Sequence, residues 1–305
     1  MTEPGAPVGD GLVVVDKPTG WTSHDVVARL RRLAGTRRVG HAGTLDPMAT
    51  GVLVVGVQRG TRLLTHVVGM GKGYTGTIRL GVATLTDDAE GEVTARHDPS
   101  SLGEPEISAA VAALVGDLMQ VPCAVSAIKI DGRRAYARVR AGEDVPLAAR
   151  PVTVHAFDLL AVRRAEDAGL PVIDLDVGVE CSSGTYVRAL ARDLGAGLGV
   201  GGHLTALRRT RVGPFTVDGA RTLEQLSSSF DLHPLDEAAA RLGFTPWELD
   251  EDAARRLSHG QRLPAPPLVR NAIGPVAAFG PDGRLVALVV GEGPTARPVF
   301  VVGGA

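Results

Sequence analysis

The stretch that decides the fold is Gly40-His41-Ala42-Gly43-Thr44-Leu45-Asp46-Pro47-Met48-Ala49-Thr50-Gly51-Val52-Leu53. Small and turn-forming residues surround one carboxylate, Asp46, and the apolar Leu45 and Met48 flank it. The β-branched run over residues 52–57 predicts a buried strand. We therefore expect Asp46 on a tight loop that leads into the core. An Asp-Pro pair in such a loop also fits an Asx turn with no chemical role.

Upstream of this loop, the sequence predicts a strand, a capped helix and a basic segment. Residues 12–15 form a short apolar run, and Thr22 with Asp25 has capping-box spacing for a helix that Gly35 ends. Residues 36–48 are predicted to form a loop. Five arginines lie within ten residues, and no acidic residue lies between them: Arg29, Arg31, Arg32, Arg37 and Arg38. Such a cluster fits either contacts with RNA phosphates or a solvent-exposed helix face.

Downstream, helical and strand patterns alternate irregularly. The patterns predict short helices over residues 61–67, 105–115 and 184–195, and strands over residues 74–80, 126–130, 152–160 and 172–181. This order indicates an α+β fold with a mixed sheet and not a repeating βαβ array.

The composition changes after about residue 217, and a small β-rich module follows. An acidic helix start at residues 248–251 precedes short apolar runs, such as 286–290 and 299–302, which proline and glycine separate. We predict two domains, over residues 1–235 and 245–305.

Overall composition limits the classes of protein. The chain has 305 residues, 44% of them hydrophobic, and a formal net charge of -2, so any contact with nucleic acid must use local positive charge. Cys123 and Cys181 lie far apart and are predicted to be reduced and buried. Neither a leader pattern nor an apolar run of about 18 residues occurs, which predicts a cytoplasmic protein without a membrane segment.

Cofactor motifs are missing from the sequence. The pattern G-x-G-x-x-G occurs at residues 71–76 and 197–202, but the first copy leads into a strand pattern and the second follows a helix pattern. Neither copy can direct a helix N-terminus at a pyrophosphate. The histidines and acidic residues show no metal-ligand spacing. We expect neither a nucleotide cofactor nor a metal.

Several ordered blocks resemble the TruB family of tRNA pseudouridine synthases. The block GTLDPMATGVL (residues 43–53) is similar to the family's catalytic motif, and DKPTGWTSHDVV (16–27) to its N-terminal signature. Further similar blocks are the segment around Gly73-Tyr74, SAIK (126–129), GRRAY (132–136) and CSSGTYVR (181–188). The family commonly has an aromatic residue where this chain has Val125.

This resemblance implies a fold, an activity and a set of site residues. The fold would have a mixed, mostly antiparallel sheet flanked by helices, with a PUA-like C-terminal module. The activity would be isomerisation of the T-loop uridine at position 55 of tRNA, without a cofactor, by a monomer. Asp46 would be catalytic, acting as nucleophile or as base. Residues that would contact the uridine are His41, Tyr74, Tyr186, Arg188 and Leu207, and residues that would contact RNA phosphates are Lys17, Arg37, Arg38, Lys129 and Arg133.

Other functions remain open at this point. A tRNA-folding chaperone would use the same basic surface, and its activity can coexist with catalysis. A nucleoside or sugar hydrolase would need a second carboxylate near Asp46, for which Asp87 and Asp88 are candidates. A plain RNA-binding module would not need an aspartate on a glycine-rich loop.

Overall fold

Two β-sheets organise the computed structural model, which describes residues 8–123, 129–130, 133–134 and 147–303. The strands are β1 (Gly11–Lys17), β2 (Val39–Ala42), β3 (Thr50–Val57), β4 (Lys72–Leu80), β5 (Val82–Thr84), β6 (Val93–Arg96), β7 (Gly116–Gln120), β8 (Lys129–Ile130), β9 (Arg133–Arg134), β10 (Arg150–Asp167), β11 (Leu170–Cys181), β12 (Gly202–Val212), β13 (Phe215–Thr216), β14 (His233–Pro234), β15 (Thr245–Glu248), β16 (Leu263–Pro264), β17 (Val276–Phe279), β18 (Leu285–Glu292) and β19 (Thr295–Val301).

Short helices connect and cover these strands. They are α1 (Ser23–Leu33), α2 (Leu64–Val68), α3 (Glu104–Ala112), α4 (Val187–Gly197), α5 (Leu223–Ser228), α6 (Leu235–Arg241), α7 (Glu251–Ser258) and α8 (Pro267–Arg270), with 3₁₀ turns at Gln58–Arg62 and Val217–Gly219.

The main sheet is mixed and mostly antiparallel, as predicted. Its strands follow the order β14, β1, β3, β12, β4, β11, β10 and β7, and β2 and β13 pair with β3 and β12. Within the described residues, the β3–β12 pair is parallel and the other pairs of this sheet are antiparallel. A second sheet, in the order β15, β17, β18, β19 and β16, forms the predicted C-terminal β-rich module.

Strand β3 explains where the Asp46 loop lies. One edge of β3 pairs with β1 from Gly51 to Val57, whereas the other edge has two partners in turn. Strand β2 pairs with residues 54–57, and β12 pairs with Thr50 and Gly51. The loop over residues 43–49 therefore leaves the sheet in its interior, at the point where β2 ends and β12 takes its place.

Apolar cores lie on both sides of the main sheet. On one face of β4, β11 and β12, side chains such as Ile78, Leu175 and Leu204 pack against Leu190 of α4. Helices α1 and α5 cover one face of β1 and β3. The other face of β1 and β3 shares a core with the C-terminal sheet, so the two sheets are packed together.

Most of the predicted elements are confirmed. Strand β1, the Thr22–Asp25 capping box of α1, and strands β3, β4 and β11 form where the patterns place them. Both cysteines are buried and free. In the described parts of the chain, no helix has both the length and the apolar character needed to cross a bilayer. The boundary between the two predicted domains stays a prediction.

Some predicted boundaries were wrong. The loop predicted over residues 36–48 contains β2, because Val39 and Ala42 are buried against β3. Helix α4 begins at Val187 and not near Gly184, where a φ of 89° is incompatible with a right-handed helix. Most of the strand predicted over residues 126–130, and Val125, lie outside the described residues.

A glycine at the start of β3 permits the close approach of β12. Gly51 has a φ of 98°, and a Cβ at this position would overlap the carbonyl oxygen of Arg209. We expect Gly51→Ala to lower the free energy of unfolding by about 2 kcal/mol or more, because it combines backbone strain with a steric clash. The matched control is Gly219→Ala, since a Cβ there meets open space. Equal melting temperatures for the two variants would contradict this account.

Candidate active site

Buried polar side chains hold the backbone of the Asp46 loop. The hydroxyl of Ser23 donates to the carbonyl of Leu45 (3.1 Å) and accepts from its N–H (2.9 Å). Arg209 is 1% exposed and donates to the carbonyls of Gly43 (3.1 Å) and Thr44 (3.4 Å). The loop is therefore fixed from two sides before any substrate binds.

Lys17 is a third anchor of this loop, which corrects the predicted phosphate contact. Its side chain is fully buried, and its ammonium donates to the carbonyls of Pro18 (2.9 Å), Trp21 (2.6 Å) and Pro47 (3.2 Å). Burial lowers the pKa of Lys17 to about 8. Because three backbone oxygens occupy the ammonium, Lys17 has a structural role and does not present its charge to RNA.

Asp46 pairs with Arg188 across the site. The Arg188 Nε lies 3.0 Å from Asp46 Oδ2, and the side chains are 5% and 37% exposed, respectively. Arg188 is in the first turn of α4. Gln120 holds the N-cap residue of this helix, Tyr186, by accepting from its N–H (2.8 Å) and donating to its carbonyl (3.1 Å). A buried, fixed cation thus orients a carboxylate that remains accessible.

Arg188 is in turn held by groups on its other side. Its Nη1 lies 3.2 Å from Asp88 Oδ2 and donates to the carbonyl of Thr86 (2.6 Å). Burial alone would lower the pKa of Arg188, but the carboxylates of Asp46 and Asp88 outweigh burial and raise this pKa. The guanidinium is therefore permanently charged, and its orientation is determined by two carboxylates.

A cavity of about 330 Å³ opens beside Asp46. It brings together five of the predicted site residues, namely Asp46, Tyr74, Tyr186, Arg188 and Leu207. Further lining residues that the sequence did not single out include Lys72, Val187 and Arg209. Burial raises the pKa of Tyr74 and lowers that of Lys72 to about 8. The cavity combines apolar walls with several cations and one accessible carboxylate.

The remaining predicted site residues lie elsewhere. His41 is on β2, outside the cavity lining, with its ring centroid 5.8 Å from that of His24. Burial lowers the pKa of His41, which favours the neutral ring. Arg37 and Arg38 are exposed just before β2. Lys129 and Arg133 lie on the paired strands β8 and β9, and their side chains are outside the described part of the structure.

Sequence reasoning missed the roles of Arg209 and Asp88. Arg209 ends the segment HLTALRR (residues 203–209), but the sequence does not show which of two adjacent arginines points inward. For Asp88, the sequence indicates only a possible second acid for hydrolysis. In the structure the Asp88 side chain is 4% exposed and contacts Arg188, and Asp87 pairs with Arg192 (3.3 Å). Neither residue lines the cavity, so both candidates for the second carboxylate of a hydrolase lie away from it.

Comparisons with known proteins agree with this fold. Family models match along the chain: the N-terminal domain of TruB family pseudouridylate synthase over residues 31–187, the tRNA pseudouridylate synthase B C-terminal domain over 188–248, and the C-terminal domain of tRNA pseudouridine synthase II over 244–303. These matches define the class, an RNA-modifying isomerase that makes pseudouridine. The chain belongs to the TruB family of tRNA pseudouridine synthases.

Individual relatives match over nearly the whole chain. A tRNA pseudouridine synthase B from Arthrobacter sp. (strain FB24) is 62% identical, with 95% of this chain and 96% of the relative covered. The protein of the same name from Streptomyces coelicolor is 59% identical, with 96% and 97% covered. The solved structure of an archaeal box H/ACA sRNP Nop10–Cbf5 complex has a TM-score of 0.68 at 25% identity, with 95% of this chain and 85% of that chain covered.

The two-carboxylate arrangement around Arg188 is testable. We expect Asp88→Asn to slow pseudouridine formation at least tenfold, about 1.4 kcal/mol in activation free energy, because Arg188 loses the charge that fixes its orientation. Single-turnover rates on a tRNA transcript measure this effect. Asp174→Asn is the matched control. Asp174 pairs with Arg79 (2.8 Å) on the main sheet, and neither residue lines the cavity. Equal rates for Asp88→Asn and wild type would refute the orienting role.

Proposed function

We propose that this enzyme isomerises one T-arm uridine of tRNA, position 55, with Asp46 as its catalytic carboxylate. The observation that carries this proposal is the accessible carboxylate of Asp46, 3.0 Å from a buried arginine and facing a cavity of about 330 Å³. A base within a stacked stem-loop cannot reach this cavity unless it is flipped out.

The chemistry needs one carboxylate and a water-poor cavity. Cleavage of the N1–C1′ bond leaves the bonding electron pair on uracil, which then turns and forms a bond from C5 to C1′. Asp46 takes part either as the nucleophile at the sugar or the base, or as the base that initiates cleavage. In each case the Asp46 carboxylate must face the reacting atoms, and Arg188 at 3.0 Å holds it in place. C5 then loses its proton and N1 takes one up, so the product is an isomer of uridine and no electron acceptor is consumed.

The cavity walls are suited to hold a free base while it turns. Tyr74 and Leu207 are largely buried on β4 and β12 and offer apolar surface to the two faces of the uracil ring. Stacking on an aromatic ring does not require one fixed in-plane orientation. We propose that Tyr186 closes the cavity beside Arg188, and that His41 fills the space that the flipped nucleotide leaves in the RNA.

The decisive experiment is pseudouridine mapping on an unmodified tRNA transcript. Wild-type protein should convert the single uridine at position 55 without added metal or nucleotide. Asp46→Asn should bind the transcript with similar affinity but convert it at least a thousandfold more slowly, because the amide is a poor nucleophile and a poor base. Conversion at another position would disprove the proposed target, and conversion by Asp46→Asn at the wild-type rate would disprove the role of Asp46.

A basic cleft offers a place for RNA phosphates away from the cavity. This cleft, of about 650 Å³, lies between the main sheet and the C-terminal module, and its lining includes Arg38, Arg59, Arg62 and His259. Helix α2 begins shortly after Arg62 and ends at Val68, which lines the Asp46 cavity. The two cavities are therefore at opposite ends of one short helix. We propose that the stem of the T-arm crosses α2 and places backbone phosphates in the cleft.

Salt dependence tests this phosphate contact. The double variant Arg38→Gln/Arg62→Gln should bind tRNA about tenfold or more weakly at low salt, and the slope of log K against log salt should fall by about 2, since two phosphate contacts are lost. The control is Arg284→Gln on an exposed turn, where the arginine side chain is 83% exposed. An unchanged slope in the double variant would place the RNA stem on another surface.

A tRNA-folding activity is a second proposed function. The same cleft and cavity bind RNA by charge and shape, so the protein can promote refolding of a tRNA whether or not Asp46 is intact. We further propose that the enzyme is cytoplasmic, as a tRNA-modifying enzyme, and that it acts as a monomer, because residues of one chain line the cavity.

A further inference from the structure

Lys72 is a buried cation of the cavity wall whose bonds within the protein leave one donor unused. It is the first residue of β4, is 7% exposed and lines the cavity with Tyr74, two residues further along the same face of the strand. Its Nζ donates to the carbonyls of Val68 (3.0 Å) and Met70 (2.7 Å). An ammonium has three N–H donors, and the described residues supply neither a third hydrogen-bond partner nor an ion-pair partner for this one. One donor of Lys72 is therefore available to a ligand.

The cations of the cavity wall are unevenly paired. The positive charge of Arg188 is matched by carboxylates, one of them that of Asp46. Lys72 and Arg209 lie close together, because a Cβ built on Gly43 would be 3.8 Å from Lys72 Cε and 3.6 Å from Arg209 Nη1. Within the described residues, neither of these two groups forms an ion pair, and backbone carbonyls hold them instead. Burial, together with the nearby charge of Arg209, lowers the pKa of Lys72 to about 8. An anionic ligand would stabilise the positive charge of this part of the wall.

Lys72 lies next to exposed residues of the cavity lining. Val68, whose carbonyl it binds, is the last residue of α2 and is 47% exposed. The same carbonyl accepts from the hydroxyl of Ser183 (2.6 Å), and both residues line the cavity together with the exposed Gly184. The phosphates carry the negative charge of an RNA chain, and they stay on the backbone at the entrance when a base is flipped into a cavity. The unused donor of Lys72 therefore suits a phosphate oxygen.

We propose that Lys72 binds a phosphate next to the flipped uridine and so holds its ribose in place during the reaction. This inference rests on the proposed function, because the ligand is a phosphate on one side of the target nucleotide. Breakage of the N1–C1′ bond separates uracil from the ribose, which is then held through the RNA backbone. A phosphate bound at Lys72 by a charge-assisted hydrogen bond restrains that backbone, so that C5 of the turned uracil meets C1′ at bonding distance.

A binding cycle between protein variants and modified RNAs tests this contact. The RNA is a T-arm stem-loop with one methylphosphonate, which removes the charge of the phosphate either 5′ or 3′ of the target uridine. Its reference RNA has the same 2′-deoxy sugar and an ordinary phosphate. Affinities are measured in the Asp46→Asn background, so that no conversion occurs during the titration. We expect one methylphosphonate to weaken binding about tenfold, Lys72→Met to weaken binding of the reference RNA about equally, and both changes together to have no further effect.

Arg79→Met is the matched control, because Arg79 is a cation of the same strand outside the cavity lining. This variant should retain the full loss of affinity that the methylphosphonate causes. If Lys72→Met also retains the full loss at both positions, or if neither methylphosphonate weakens binding to protein with Lys72 intact, then Lys72 does not bind a phosphate next to the target uridine.

Because Lys72→Met also removes the bonds to Val68 and Met70, a second measurement uses the native side chain. In protein with ¹³C-labelled lysine Cε, the signal of Lys72 is the one that Lys72→Arg removes. Binding of the reference RNA should raise the pKa of Lys72, because the phosphate stabilises the ammonium, whereas the weaker-binding methylphosphonate RNA should not. The nearby groups Arg209 and Cys181 are the same in both complexes. An equal pKa of Lys72 in free protein and in the reference complex would overturn the proposal.

Neither measurement depends on catalysis. If wild-type protein makes no pseudouridine at position 55, the proposed function fails, whereas the binding cycle and the pKa of Lys72 still decide whether this lysine holds a phosphate.

Discussion

The ion pair between Asp46 and Arg188 is the interaction on which the site depends. One partner lies on a loop between two strands of the main sheet, and the other lies in the first turn of α4, so the pair forms only when both elements are packed in place. Burying a guanidinium is unfavourable unless carboxylates compensate it. Here Asp88 provides that compensation from within the protein, and Asp46 can remain partly exposed to a substrate. The geometry links folding of the sheet to formation of this ion pair.

Around this pair, the protein places cations where hydrophobic side chains would ordinarily be found. Lys17 and Arg209 are both almost completely buried, and both donate to carbonyls of the segments that carry the Asp46 loop. A loop held by such bonds has little freedom to adjust, which suits a reaction that requires fixed groups around a moving base. Ser23 adds a neutral anchor from α1.

The sequence predicted the elements better than the contacts between them. Periodicity and the capping box located β1, α1, β3 and β4, because these patterns report burial and local hydrogen bonding. Strand β2 was missed, because four residues rich in small side chains carry little periodicity and pair only through the fold. The predicted phosphate contact of Lys17 was wrong for a similar reason. The Asp46 loop, which buries the Lys17 side chain, lies thirty residues later in the sequence. Motif blocks placed Asp46, Tyr74 and Arg188 at one cavity, whereas the partners Asp88 and Arg209 became visible only in three dimensions.

The shared core between the two sheets has a consequence for how the chain can be divided. Leu12 and Val54 of the main sheet belong to the same apolar cluster as Leu285 and Phe300 of the C-terminal sheet. Cutting the chain ahead of β15 would remove part of the apolar cover from that face of β1 and β3, at a cost that grows with the area uncovered. We therefore expect the two parts to unfold together. A gene fusion that exchanged this C-terminal sheet for another would have to reproduce the inner surface that packs against β1 and β3.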